Sequence, residues 1–115
     1  DTLRYKNSKS PYFPDDFKAE FSDISTNQFT LTFSQAKPSD EYYVNDYIIT
    51  VKETATDLVV KRVGLWSEYY FYNMPETLSV IIDDLKPDTK YTVLIKANNF
   101  FESGTTYKPL YIETK

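Results

Sequence analysis

The side chains of this protein that can do acid–base or metal chemistry are its carboxylates, lysines and tyrosines. The 115 residues include no histidine and no cysteine. That removes the commonest general base, the Ser-His-Asp arrangement and every thiolate nucleophile or ligand. Adjacent carboxylates occur at Asp15-Asp16, Asp40-Glu41 and Asp83-Asp84. Neighbours on a strand point to opposite faces, so Asp83 and Asp84 share one site only if a turn intervenes. A glycosidase needs two carboxyls about 5–10 Å apart across a cleft, and a small two-layer domain offers no obvious one. No Asp-x-Asp-x-Asp-Gly calcium loop is present. Two readings of the pairs stay open, a calcium site or solvated loop charge. No catalytic residue and no cofactor is expected, and no residue is assigned to a metal.

Aromatic rings are the other chemistry-bearing residues. They make up 17% of the chain, with eleven Tyr and eight Phe, and their densest run is Tyr69-Tyr70-Phe71-Tyr72, just after Trp66. One strand face cannot bury four consecutive rings. Either two turn inward and two outward, or the segment is a loop folded over the core. It is then a long connection that caps the fold, or a contact platform made by Trp66, Tyr69, Tyr70 and Tyr72. The platform would meet a neighbouring domain, where Tyr and Trp are favoured, or a polysaccharide whose pyranose faces stack on flat rings.

Positioning such groups takes a folded frame, and the length bounds it. A chain of 115 residues is one domain by the usual prior, and it buries roughly two-thirds of its unfolded surface without staples. The net charge of −4 argues against nucleic acid and against an anionic membrane surface. No apolar run approaches the ~20 residues that span a bilayer. The N-terminus lacks a basic-then-apolar signal pattern, so an export signal is expected to have been removed or to lie elsewhere.

Residues 1–14 have two prolines and no periodicity. They read as a linker or N-terminal arm, with Pro11 and Pro14 bracketing Tyr12 and Phe13 in an extended segment. From there, period-two alternation predicts strands over 17–24, 29–34, 47–52, 58–63, 78–82, 91–97 and 110–114. Turn clusters separate them, and residues 64–76 are the least regular part. Seven short strands with no helical period close most naturally as an antiparallel two-sheet sandwich.

The most informative stretch is Leu85-Lys86-Pro87-Asp88-Thr89-Lys90-Tyr91 and the strand it opens. Pro87 fixes φ and Asp88 follows as a turn former, so the chain reverses. Tyr91, Val93, Ile95 and Ala97 then alternate with Thr92, Leu94 and Lys96. A tyrosine opening a strand after a turn suits a tyrosine corner, its ring inward and its hydroxyl bonded to upstream backbone. Losing that hydroxyl would leave a buried acceptor unpaired. Leu85 should plug the core beneath.

These residues resemble a fibronectin type III domain from about residue 15 to residue 114. Leu85, Pro87 and Tyr91 match the family's Leu-x-Pro-x-x-x-Tyr signature, with Asp88 where glycine is common. Phe29-Thr30-Leu31-Thr32-Phe33 is similar to the family's second strand, with Phe33 in place of the usual tryptophan, and Tyr47-Ile48-Ile49-Thr50-Val51 to its third. Ala97-Asn98-Asn99 resembles the end of its sixth. The segment 64–76 is longer than the family's usual link. The resemblance implies a seven-stranded immunoglobulin-like sandwich that spaces, docks or binds, and rarely catalyses. The family's adhesive Arg-Gly-Asp is absent from the loop 98–107, so integrin binding is not carried over.

Strand parity adds one surface. With Tyr47, Ile49 and Val51 inward, Ile48 faces out, and so do Leu94 and Tyr111 on strands that this fold makes neighbours. Together they should form an exposed apolar stripe, a candidate interface. The expected function is a non-catalytic module that docks or spaces domains of a larger secreted or surface protein. The Lys-, Asn-, Tyr- and Ile-rich composition suggests an AT-rich, bacterial genome. The alternative is a carbohydrate-binding module built on Trp66 and the nearby tyrosines. A receptor-type protein-binding domain comes third.

Overall fold

The computed structural model describes residues 10–37, 44–66, 75–99 and 104–115. Among them are eight β-strands and no helix: β1 Ala19–Ser22, β2 Phe29–Ser34, β3 Asp46–Glu53, β4 Leu58–Trp66, β5 Thr77–Ile82, β6 Lys90–Asn98, β7 Gly104–Thr106 and β8 Leu110–Glu113. They form two antiparallel sheets. One has the order β1-β2-β5; the other has the order β4-β3-β6-β7, with β8 also pairing β6. The sandwich expected from alternation is present.

The eighth strand comes from a break in the last one. β7 pairs with the end of β6 at Lys96–Asn98, and β8 pairs with its start at Lys90–Val93. Between them Pro109 has no N–H to give the ladder. Tyr107 still donates its N–H to the Ile95 carbonyl at 2.8 Å. Its ring packs on Phe17, with centroids 4.5 Å apart.

Alternation decides what is buried. Phe29, Leu31 and Phe33 of β2 face Tyr47, Ile49 and Val51 of β3 and Tyr91, Val93, Ile95 and Ala97 of β6, all essentially without exposure. Phe33, which the resemblance put in the place of the family's usual tryptophan, sits edge-on to Tyr47 at 5.1 Å. Burying such side chains is worth about 1.5–3 kcal/mol each, so this layer supplies most of the driving force.

Two strands differ most from expectation. β1 is four residues rather than eight, because Asp15 and Asp16 lie in a turn and Asp23 takes a positive φ of 49° that ends the strand. β4 runs on through Gly64, Leu65 and Trp66, which pair with Ile48, Tyr47 and Asp46; backbone pairing carries it past the point where alternation fades. The arm expected over 1–14 is tied to the domain where it is described. Tyr12 and Lys37 exchange two backbone hydrogen bonds, of 3.0 and 2.8 Å. The Pro11 carbonyl accepts from Thr105 at 2.6 Å, and Phe13 packs on Phe17 and Tyr107 at 4.7 and 5.2 Å.

The turns use aspartate where many proteins use glycine. Asp23, Asp57, Asp84 and Asp88 all have φ between 49° and 60°, and no described glycine is positive. Asp tolerates the left-handed region better than most residues because its short side chain bonds locally. With only two glycines in the chain, aspartate fills that role.

Candidate docking face

The five-stranded sheet turns one face to the core and one outward, and register fixes what the outer face presents. Ile48 of β3 lies between Gly64 of β4 and Lys96 of β6. One step along, Thr50 lies between Arg62 and Leu94. The next step places Lys52 between Val59 and Thr92, and Thr92 opposite Tyr111 of β8. Ile48, Leu94 and Tyr111 are therefore diagonal neighbours running across three adjacent strands. Diagonal pairs of this kind have Cα atoms about 7–8 Å apart, within reach of long side chains. Tyr111 is 69% exposed and the other two are half-buried. Gly64 leaves bare backbone beside Ile48.

Polar pairs frame this lane. At one end Asn98 donates from Nδ2 to Asp46 Oδ1 at 2.8 Å. At the other, Thr54 and Thr92 share a hydroxyl bond of 2.9 Å, and Lys52 meets Asp57 at 3.4 Å. A bulge sits between Val51 and Lys52, so Val60 has no partner on β3. Bulges of this kind twist an edge strand away from strand addition.

Trp66 occupies the β4 position opposite Asp46. Tyr69, Tyr70 and Tyr72 lie outside the described residues, and so does the Asp40-Glu41 pair. The Asp83-Asp84 pair behaves differently from two residues on a strand. Asp84 takes a φ of 60°, so the turn does intervene and both carboxylates approach one cation. Lys61 Nζ bonds Asp83 Oδ1 and lies 3.9 Å from Asp84 Oδ2. The hydrogen bond from Lys61 and its charge hold the Asp83 carboxyl below the usual carboxylate range. The pair joins the edge strand β4 to the end of β5. No group of three metal-ligating side chains occurs among the described residues.

The corner residues do what their spacing implied, with one change of sign. Tyr91 and Leu85 are buried, Pro87 precedes Asp88 at a φ of 51°, and the Tyr91 hydroxyl meets Lys86. The hydroxyl accepts from the Lys86 N–H at 2.8 Å, so its loss orphans a donor, not the acceptor expected. Two ties were not foreseen. Thr114 Oγ1 donates to the Lys86 carbonyl at 2.7 Å and accepts from the Thr89 N–H at 3.0 Å, clamping the chain end onto the corner. The Tyr47 hydroxyl donates to Gln35 Oε1 at 2.6 Å and accepts from the Ala36 N–H at 2.9 Å. Burial pushes the Tyr47 hydroxyl up to about 12, against the opposing pull of the Ala36 bond.

Two facing antiparallel sheets, a tyrosine corner and an all-β core define an immunoglobulin-like sandwich. The family model for the fibronectin type III domain matches residues 14–112, and the chain belongs to that family, whose fold is typically that of a non-catalytic module in multidomain proteins. Solved structures share the fold at low identity. The third fibronectin III domain of human KIAA0343 superposes with a TM-score of 0.67 at 11% identity, over 92% of this chain and 84% of that one. The FN1–FN3 domains of chicken CNTN1 give 0.65 at 18%, over 94% of this chain and 32% of that one. The sensor domain of the anti-sigma factor RsgI4 of Pseudobacteroides cellulosolvens gives 0.59 at 18%, over 86% and 74%. The comparison with curated proteins gave no match.

Proposed function

We propose that this domain spaces and docks neighbouring domains of a larger extracellular or cell-surface polypeptide, without catalysis, through the outer face of its five-stranded sheet. The observation that carries the reading is the diagonal of Ile48, Leu94 and Tyr111 on three adjacent strands. Contiguous apolar surface of this kind marks interfaces more often than scattered residues do. Family membership supports the modular part. The missing histidine and cysteine, and the engagement of Asp83 by Lys61, support the non-catalytic part.

Calorimetry on the isolated domain and on the polypeptide that contains it tests this. Docking predicts that the domain melts higher in the larger protein, and that a Leu94→Glu, Tyr111→Glu double variant loses the difference. The same variant should leave the isolated domain folded at a cost of about 1–2 kcal/mol, because Leu94 is half-buried. Equal melting in both settings would sink the proposal.

A further inference from the structure

The apolar diagonal has an exposed cation on each side. Lys96 lies directly opposite Ile48, and Arg62 lies across Thr50 from Leu94. Neither makes an ion pair among the described residues, whereas Lys52 is met by Asp57. Counted by register, and with the Asp57 that meets Lys52, the face carries Lys52, Arg62, Lys90 and Lys96 against Asp46, Asp57 and Glu113, four cations less three anions, or +1. The whole chain carries −4. A basic face on an acidic domain, with an apolar lane through it, calls for an occupant of the opposite pattern.

Resting on the docking reading above, we infer that this face receives a protein segment that presents apolar side chains flanked by carboxylates. The apolar residues would cover Ile48, Leu94 and Tyr111. The carboxylates would reach Lys96 on one side of the lane and Arg62 on the other. Exposed pairs of this kind add little affinity each, but they set register and exclude partners of the wrong sign. A bare polyanion does not fit, because the two cations that flank the apolar centre stand apart and no extended basic track occurs among the described residues.

Three short synthetic peptides test the inference by NMR titration of the intact chain. One alternates Leu with Glu, one Leu with Lys and one Leu with Ser. The acidic peptide should give saturable shifts at the amides of Ile48, Arg62, Leu94 and Lys96, weaker at high salt. An Arg62→Glu, Lys96→Glu variant, with an unchanged circular dichroism spectrum, should lose roughly tenfold in affinity for it and gain for the basic peptide. Equal binding of all three peptides at these amides would overturn the charge assignment and leave docking standing. Shifts from none of them would overturn both. Broadening of the same amides with protein concentration alone would point to a second copy and overturn the inference as well.

Discussion

The Tyr91 hydroxyl accepts a hydrogen bond from the Lys86 backbone N–H at 2.8 Å, across the turn that Pro87 and Asp88 make. Tyr91→Phe keeps the ring and orphans that donor, at an expected cost of about 1–3 kcal/mol. Leu85→Ala, which empties the core under the same turn, should cost about 2–5 kcal/mol. Urea unfolding of both variants checks the order. A Tyr91→Phe loss under ~0.3 kcal/mol would mean the corner bond contributes nothing.

Tyr47 makes stability sensitive to alkali. Its hydroxyl titrates near 12 in the folded chain and near 10 when unfolded. Between those values the unfolded chain releases the proton and the folded chain keeps it, so stability falls as pH rises. The contribution is complete below about pH 10, and about 2–3 kcal/mol is lost by pH 12. Tyr47→Phe should remove this component of the slope while costing about 1–3 kcal/mol at neutral pH, because the Ala36 N–H loses its acceptor. Chemical unfolding across pH 8 to roughly 12 reads both effects.

Asp88 sits at a φ of 51°. Asp88→Gly removes the steric cost of that backbone and adds unfolded-state freedom, so the change should stay within about 1 kcal/mol. Asp88→Val should lose about 1–2 kcal/mol, since a β-branched residue strongly disfavours positive φ. Equal melting temperatures for the two variants would contradict this turn geometry.

A Cβ added at Gly104 would overlap Asn98 Oδ1 and the end of Lys96. Asn98 is held by Asp46, so Gly104→Ala should push it off that partner at about 1 kcal/mol. If so, Gly104→Ala and Asp46→Ala will be less than additive in a double-mutant cycle. Strict additivity would show that Asn98 moves without breaking the bond.

Much of this was legible in the chain itself, for a physical reason. Period-two burial writes strands such as Phe29 to Ser34 directly into residue order, and the Leu85, Pro87 and Tyr91 spacing marks the corner locally. Contacts between distant segments leave no such trace. Nothing near Thr114 announces that its hydroxyl bridges Lys86 and Thr89, and nothing near Gln35 marks it as the partner of Tyr47. The extension of β4 through Gly64 was hidden because glycine signals a break by itself, while the pairing with Ile48 comes from β3. On the outer face, parity placed Ile48, Leu94 and Tyr111 on one side of the sheet. Their diagonal order, and the cations flanking it, needed the register.

The cysteine-free sequence offers the most direct test of docking. Single Tyr111→Cys and Ile81→Cys variants place thiols at positions that are 69% and 59% exposed on the outer faces of the two sheets. Their labelling rates are measured in the isolated domain and in the larger polypeptide. Docking through the five-stranded sheet predicts that the thiol at position 111 slows strongly in the larger protein while the one at position 81 does not. Equal labelling at position 111 in both settings would contradict it.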